Sequence, residues 1–303
     1  MKFLSTARLL AATSLFMLTV LFFSCQKEGR QDTTPAPETE LTAEAASSTA
    51  DESIVADASF DDLDAIGQVA AEEDDYAATE SDNGRYFPSF KALRAIIGNC
   101  ATVTVSPDNG SYPKTITIDF GDSCVGIDGK LRSGKIVIHL TAPRRKSGSV
   151  AVITLVNYSI NRVKLQGTKT ITNNSTDHTL KYTVQVSGGK VMFANGHGYN
   201  FESLKQRKQI EGKDTPVIID NVFEVTGYAN IRFTNGATVH IETTDPLIKK
   251  VICPWRSNGT LKIKVNQNFV FKLDYGFPNN GDCDNKALLT WNDGNDQLII
   301  RLP

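Results

Sequence analysis

The chain has 303 residues, of which 40% are hydrophobic, and a formal net charge of −2. This length and composition suit one large domain or two small ones, and they exclude both a wholly disordered acidic protein and a strongly basic nucleic-acid-binding protein. The average hides a separation of charge along the chain. Residues 1–24 carry two Lys/Arg and no acids, residues 25–90 carry three Lys/Arg against seventeen Asp/Glu, and residues 91–303 carry twenty-seven against seventeen.

Residues 1–24 have the pattern of a secretory signal. Two basic residues precede an apolar run of fifteen residues, Leu9 to Phe23, which is too short to cross a hydrocarbon core of about 30 Å as a helix. Ser24 directly before Cys25 resembles the signal of bacterial lipoproteins, in which the cysteine is lipidated and becomes the first mature residue. The resemblance implies a membrane anchor on Cys25 and, with Gln26 after it, the periplasmic or cell-surface face of the outer membrane. A cleaved, soluble secretory protein is the alternative.

Residues 25–88 are predicted to form an acidic tether. From Gln26 to about Ala58, large apolar side chains are few, so burial cannot offset the entropy of ordering this stretch. Two short helices are expected, one near 59–70 and one over Ser89–Ile97, because apolar residues recur there with helical spacing. The acidic run Glu72–Asp75 is typical of a solvated surface, with a cation site as the alternative.

Residues 89–303 are predicted to form a β-rich domain. Apolar and polar residues alternate strictly over 115–120 and 261–265, which indicates strands with one buried and one solvated face. Seven Asn-Gly or Asp-Gly dipeptides after residue 100 supply the positive φ angles that tight hairpins need. We therefore expect an all-β antiparallel meander of about twelve to fifteen strands, folded as a large β-sandwich or an incomplete barrel. A division into two domains near Asp214–Pro216 is the alternative.

Four cysteines remain besides Cys25, namely Cys100, Cys124, Cys253 and Cys283. An even number of cysteines in an exported chain indicates disulfides, and three pairings are possible. Proximity along the chain favours Cys100–Cys124 and Cys253–Cys283. Zinc is the weaker alternative, because no two of the four have a C-x₂₋₄-C spacing and no histidine lies beside them.

Several short motifs follow one another along residues 99–302. They include Asn99–Val105, Thr115–Gly121, Leu165–Thr170, Cys253–Trp255 and Leu273–Gly276. Their order and spacing resemble those of exported Bacteroidota lipoproteins of unassigned function. The resemblance implies an all-β exported domain with a lipid anchor, and it implies no catalytic residue.

One motif has the spacing of a phosphate-binding loop. Gly129–Lys135 fits G-x₄-G-K, but Ile136 stands where a Mg²⁺-binding Ser or Thr is required, and a strand pattern follows in place of a helix. We therefore predict a hairpin turn at this motif. His139 and His240 fall on polar strand faces, where exposed sheet positions are expected.

Two further patterns have residue types suited to chemistry. The glutamates available as the paired carboxylates of a glycoside hydrolase are Glu202, Glu211, Glu224 and Glu242, and of these Glu224 and Glu242 fall on polar strand faces. Asp282, Asp284 and Asn285 offer oxygen ligands to Ca²⁺, although the same residues serve turns. We predict no catalytic residue, no metal ligand and no cofactor.

The excess positive charge of residues 91–303 suggests a ligand-binding face. Lys262, Lys264 and Lys272 alternate along two neighbouring predicted strands and would attract phosphorylated or carboxylated glycans. Trp255 and Trp291 would stack on sugar rings. The favoured alternative is that the lysines deter aggregation of the sheet and that the acidic residues before 90 supply the counter-charge within the molecule. Further basic clusters occur at 144–146, 205–208 and 249–250.

The sequence therefore predicts a lipid-anchored, non-enzymatic binding or structural module of the cell envelope. Its expected partners are the membrane, through the lipid on Cys25, and an anionic glycan or another envelope protein. Nucleic acid is not expected outside the cell. The alternative is a carbohydrate-active hydrolase or its accessory protein.

Overall fold

The computed structural model describes residues 43–79, 86–176, 179–213, 215, 218–278 and 281–302. The expected signal peptide, Cys25 and the first part of the expected tether lie outside the described residues. The described chain contains two α-helices, α1 (Ala43–Thr79) and α2 (Lys91–Ile97). The fourteen strands are β1 Thr102–Ser106, β2 Lys114–Asp119, β3 Cys124–Val125, β4 Leu131–Leu140, β5 Val150–Ile160, β6 Val163–Asn173, β7 Lys181–Met192, β8 Gly198–Glu211, β9 Val222–Phe233, β10 Thr238–Lys250, β11 Asn258–Val265, β12 Phe269–Asp274, β13 Lys286–Trp291 and β14 Asp296–Arg301.

All fourteen strands belong to one antiparallel sheet. Each strand pairs with the next along the chain, except that β3 pairs only with β4, beside the β2–β4 pair. The prediction of an all-β antiparallel meander is therefore confirmed. Strands β8 and β9 pair over most of their length, and Asp214 and Pro216, between them in the chain, lie outside the described residues.

Helix α1 differs from the prediction in its length. A helix was expected near 59–70, but α1 spans 37 residues and begins at Ala43, so residues 43–58 are helical and do not form a tether. Eleven of the 37 residues are alanine, the strongest helix former. At about 1.5 Å per residue, the helix is roughly 55 Å long. The second expected helix is confirmed as α2.

The sheet curves around α1. Strands β4 and β11 are seven positions apart in the sheet, which would be roughly 34 Å in a flat sheet at about 4.8 Å per strand. Arg132 on β4 nevertheless pairs with Asp62, while Arg256, two residues before β11, pairs with the adjacent Asp61. One face of the sheet must therefore bend around the helix to bring both arginines to neighbouring residues.

The apolar core lies between α1 and the inner face of the sheet. Phe60, Leu63 and Ile66 of α1 are at most 2% exposed, and each such side chain contributes about 1.5–3 kcal/mol by burial. Phe60 stacks on Phe201 of β8 with ring centroids 4.6 Å apart. At Gly67 a Cβ atom would lie 2.6 Å from Cδ1 of Ile153, so glycine allows the helix to approach β5 closely.

Both favoured disulfides are present. Cys100 pairs with Cys124 and Cys253 with Cys283, with Cα atoms 5.5 and 5.6 Å apart. The first disulfide holds the segment after α2 against β3, and the second ties the turn after β10 to the segment before β13. The cysteine spacing therefore predicted the pairing.

The phosphate-loop-like motif is a hairpin turn, as predicted. The amide N–H of Gly126 donates to the carbonyl of Lys130 at 2.9 Å, and β4 begins at Leu131. Asn258-Gly259, in contrast, does not form a hairpin turn but lies at the start of β11. There the carbonyl oxygen of Pro246 lies 2.3 Å from the position of a Cβ atom at Gly259, so only glycine fits between the two strands.

Candidate functional site

The acidic and basic parts of the chain meet inside the molecule. Helix α1 carries eleven Asp/Glu and no Lys or Arg. Its acids pair with basic side chains from the inner face of the sheet and its connections, an arrangement that we call the inner ion-pair layer. The pairs with Nζ/Nη-to-oxygen distances of 2.7–3.0 Å are Lys114–Asp74, Lys130–Asp62, Arg132–Asp62, Lys205–Asp57, Lys205–Asp61 and Arg256–Asp57. Arg207–Asp64 and Arg256–Asp61 complete the layer.

The acids at the centre of this layer are held in their ionised form. Burial alone would raise the pKa of Asp62, but the charges of Lys130 and Arg132 outweigh it and keep the pKa below its usual range. Asp64 behaves in the same way, because Arg207 and then Lys169 offset its burial and lower its pKa. A buried carboxylate paired in this way becomes costly when its partner is removed.

Asp75, near the end of α1, has the opposite behaviour. Burial is the main cause that raises its pKa, to about 6, although Tyr112 and the backbone N–H of Arg144 donate hydrogen bonds to it. The charge of Asp74 beside it adds to the rise. Asp75 therefore binds its proton up to a higher pH than an ordinary aspartate does.

Two buried cations in the layer lack a carboxylate partner at hydrogen-bond distance. Lys169 donates from Nζ to the carbonyl oxygen of Phe60 at 2.6 Å, and burial lowers the pKa of Lys169. The guanidinium of Arg144 stacks over the ring of Tyr182 at 4.1 Å. Neither Nη atom of Arg144 has a hydrogen-bond partner among the described residues, and burial lowers its pKa.

These contacts place part of the basic charge inside the molecule. Lys205 and Arg207 are buried and pair with acids of α1, and Arg144 is buried over the ring of Tyr182. The acidic run Glu72–Asp75 is likewise not a solvated surface, since Glu72 and Asp74 are 4% and 0% exposed. For these residues, the structure shows that the acids supply the counter-charge to the bases within the molecule.

A polar groove lies on the opposite, outward face of the sheet, across β8 to β11. Its volume is about 620 Å³, within the range of small-molecule sites. We call it the outer groove. Its polar lining consists of Asn200, Glu202, Asn230, Arg232, Thr238, His240, Lys264 and Gln267.

Strand register places four of these residues in one row. Glu202 lies opposite Asn230, Asn230 opposite His240, and His240 opposite Lys264. Nδ1 of His240 is 2.7 Å from Oδ1 of Asn230, which holds the imidazole in place. Since directly opposite residues on one face are about 5 Å apart, the row presents a carboxylate, an amide, an imidazole and an amine to a single ligand.

A second row lies beside the first. Tyr228 is opposite Glu242, Glu242 opposite Lys262, and Lys262 opposite Lys272. Glu242 lies 3.4 Å from Nζ of Lys262 and 3.9 Å from Nζ of Lys264. The Tyr228 ring, 42% exposed, stacks with His240 at a centroid distance of 6.0 Å. The second row thus adds an exposed aromatic ring next to the outer groove.

Positive charge remains unbalanced on this outward surface. Within the described parts of the chain, Arg232 and Lys272 form no ion pair with an acid. Lys272 stands directly opposite Lys262, whose charge Glu242 already balances at 3.4 Å. Among the described residues Glu202 of the groove forms no ion pair either, so Arg232 and Lys264 stand against one groove carboxylate and the groove keeps a net positive charge.

The structure brings together only some of the residues predicted to bind a ligand. Lys264 lines the outer groove, and Lys262 and Lys272 lie in the row beside it. Trp291 instead packs against the buried Phe271, with ring centroids 5.7 Å apart, and Trp255 packs against the apolar core. Neither tryptophan lies with the lysines, because both contact the inner side of the sheet.

The remaining candidates are dispersed. Glu224 and Glu242 are not close, since Glu224 is four residues along β9 from Tyr228, the partner of Glu242, which is roughly 13 Å. His139 is exposed on β4, His197 is exposed in the turn between β7 and β8, and His178 lies outside the described residues. The described residues contain no group of three or more His, Cys, Asp or Glu that is arranged to hold a metal ion.

Sequence reasoning missed Arg232 and Asn230, which line the groove, and Tyr228, which lies beside it. They follow the same alternation as His240 and Glu242, because outward positions of β9 pair with outward positions of β10. Correct pairing of these two strands would have identified them. The hairpin dipeptide Asn235-Gly236 between the strands was the available signal.

Fold and surface together define an all-β protein in which one curved meander sheet encloses an acidic helix and carries a polar groove outside. Comparison with protein-family models, curated proteins and solved structures finds no match. Among the described residues, neither helix combines the length and hydrophobicity needed to cross a membrane.

Proposed function

We propose that this chain is a lipid-anchored cell-envelope protein that binds an anionic glycan, without turnover, in the outer groove. The observation that carries the proposal is the unpaired charge of Arg232 at the groove together with Lys264 on the same outward face. The signal-like residues 1–24 and the candidate acyl site Cys25 support the membrane location.

The groove chemistry fits an acidic sugar better than a neutral one. Arg232 and Lys264 provide positive charge, and Arg in particular binds a carboxylate or phosphate in a bidentate manner. Asn200, Asn230 and Gln267 add amide donors and acceptors suited to hydroxyl groups. The exposed ring of Tyr228 offers a flat apolar surface for a pyranose face.

The inner ion-pair layer explains why the outward surface is the site. Arg132, Lys205 and Arg256 pair with acids of α1, so the charge of these inward bases is balanced within the fold. The charge available to an external anion is that of the outward row and the groove.

The experiment is calorimetric titration of the purified full-length protein with oligogalacturonate and with its methyl ester, which has the same sugar and linkage but no charge. We expect binding in the micromolar range for the acid and at least tenfold weaker binding for the ester. Lys264→Ala and Arg232→Ala are each expected to weaken binding of the acid about tenfold, which corresponds to about 1.4 kcal/mol. Lys164→Ala, an exposed lysine on β6 outside the groove, is the matched control and is expected to bind as the parent does.

If oligogalacturonate does not bind, an array of carboxylated, sulfated and phosphorylated glycans decides the question, and failure of all three classes contradicts the proposal. Release of reducing ends that is abolished by Glu242→Gln would instead establish a hydrolase. For the anchor, palmitate labelling that persists in a Cys25→Ala variant would contradict lipidation at this residue.

A further inference from the structure

Strand β14 forms one end of the sheet. Within the part of the chain that the structure describes, β14 pairs with β13 alone, so its other side presents backbone N–H and C=O groups without a strand partner. Such an edge is a template for pairing with another chain. Native proteins commonly protect edges with lysine, proline or a bulge. The strand Asp296–Arg301 contains no lysine or proline, and its register with β13 shows no bulge.

The centre of β14 is apolar and exposed. Leu298 and Ile299 are 47% and 53% exposed, although they point to opposite faces of the sheet. Leu298 lies opposite Leu289 of β13, which is 0% exposed. Leu298 remains accessible because no strand of the described chain covers its other side. At the opposite end of the sheet, the two valines of β1 are half-buried and the strand exposes no large apolar side chain.

The sequence of β14 is complementary to itself in one antiparallel register. Two copies related by a two-fold axis perpendicular to the sheet must pair residues that point to the same face, so opposite positions differ by an even number. Centring the axis on Ile299 places Ile299 opposite Ile299, Leu298 opposite Ile300, and Gln297 opposite Arg301. Apolar side chains then meet apolar ones, and the polar pair closes both ends.

The neighbouring registers are less favourable. Centring on Leu298 places the acid Asp296 opposite Ile300, a side chain that is buried on the inner face. Centring on Ile300 places Ile299 opposite the charged Arg301. Each alternative sets a charge against an apolar side chain within β14, whereas the Ile299-centred register does so only beyond the strand, where Asp296 faces Leu302, so the Ile299-centred register is the most favourable of the three.

We propose that two copies of this chain associate through antiparallel pairing of their β14 strands, centred on Ile299. The contact is isologous and closes after two copies, so the sheets join into one without forming an open fibre. Both copies would be fixed to the same membrane surface if Cys25 is lipidated, which raises their effective concentration. The contact leaves the outer groove, on β8 to β11, unobstructed.

Cysteine cross-linking in the intact envelope tests the contact and its register. Directly opposite residues have Cα atoms about 4.5–5.5 Å apart, a separation that permits a disulfide. Ile299→Cys is therefore expected to give a disulfide-linked dimer on a non-reducing gel. Gln297→Cys alone is expected to remain monomeric, whereas Gln297→Cys co-expressed with Arg301→Cys is expected to form the dimer.

Val270→Cys is the matched control, because Val270 is also 47% exposed but lies on β12, away from the edge. A monomeric Ile299→Cys protein, or equal cross-linking of Val270→Cys, overturns the proposal. Cross-linking of Ile299→Cys to Thr104→Cys on β1 of another copy, which would build a ladder of oligomers, also overturns it.

A measurement without cysteines gives an independent readout. In sedimentation velocity of the purified full chain, Ile299→Lys is expected to abolish the dimer, because two lysines would face each other across the two-fold axis. Val270→Lys is expected to leave it intact. A parent protein that remains monomeric over a concentration range of about 1–100 μM contradicts the proposal, since edge pairing would then be too weak to detect even at high concentration.

Discussion

Arg132 forms an ion pair with Asp62, which lies 70 residues earlier in the chain. Nη2 of Arg132 lies 2.8 and 2.9 Å from the two carboxylate oxygens of Asp62, and Nε lies 3.2 Å from Oδ2. The two side chains are 0% and 7% exposed. The contact links the middle of α1 to the first residues of β4, so it fixes the helix within the curved sheet.

Removal of one partner from this pair should be strongly destabilising. Asp62→Ala leaves Lys130 and Arg132 buried without their carboxylate, and we expect a loss of about 3–5 kcal/mol in the free energy of unfolding. Asp119→Ala is the control, because Asp119 pairs with Lys135 at a similar distance but both side chains are exposed, at 34% and 47%. That variant should lose less than about 1 kcal/mol. Denaturant unfolding measures both values, and equal losses would refute the argument.

Asp75 should make the protein less stable as the pH rises from about 4 to about 6. The pKa of Asp75 is raised to about 6 in the folded state from the ordinary 3.8, so in this window the folded chain binds the additional proton. Ionisation above this window costs up to about 3 kcal/mol. Asp75→Asn should therefore raise stability at pH 7 and flatten the profile between pH 4 and 6.

The acids with lowered pKa values affect stability in a different pH range. The ion pairs of Asp62 and Asp64 stabilise the fold above the ordinary Asp pKa and are lost as the pH falls below about 4. Unfolding measured across both windows separates the two effects. If the free energy of unfolding of Asp75→Asn changes with pH between 4 and 6 as steeply as that of the parent, Asp75 is not the responsible group.

The disulfide between Cys253 and Cys283 should contribute to stability through the unfolded state. It closes a loop of 30 residues, for which chain entropy predicts about 3–4 kcal/mol. The double variant Cys253→Ser/Cys283→Ser should unfold at correspondingly lower denaturant concentration. The control compares two proteins, the reduced parent and a variant that lacks all four disulfide cysteines. If the disulfides alone are responsible, the two should have the same free energy of unfolding.

Gly227 should tolerate a side chain less well than Gly236. Both residues have positive φ, but a Cβ atom at Gly227 would lie 2.3 Å from the carbonyl oxygen of Leu204, whereas that at Gly236 meets nothing within 4 Å. Gly236→Ala should lose about 1 kcal/mol from backbone strain. Gly227→Ala should lose a further 1–3 kcal/mol, roughly, because β8 must move away. Similar thermal unfolding of the two variants would contradict this reasoning.

Strand pattern and cysteine spacing made the sheet predictable. Alternation of period two marks residues such as Ile116, Ile118 and Phe120 as inward-facing, and all three are at most 2% exposed. Hairpin connections require only neighbouring strands to pair, so a meander follows from local signals. The spacing of the four cysteines then selected the disulfide pairing that the structure contains.

Helix α1 was only partly predictable, because its burial depends on charge as much as on apolar area. Ala46 and Ala50 are 0% exposed, yet alanine has too little surface to indicate a core helix by itself. The missing signal was on β8, where Lys205 and Arg207 share the inward face of Tyr199 and Phe201. Bases at apolar-face positions require buried acids, and α1 is the acidic segment that supplies them.

The long span of the inner ion-pair layer has a consequence for how the chain acquires its structure. Asp57 pairs with Arg256, which is 199 residues later in the chain. A nascent chain therefore exposes the acidic helix long before its last partners have been made, and contacts of such sequence separation form slowly. The environment of α1 is therefore complete only when residue 256 is available to pair with Asp57, so no amino-terminal fragment that lacks this residue can form the whole inner ion-pair layer.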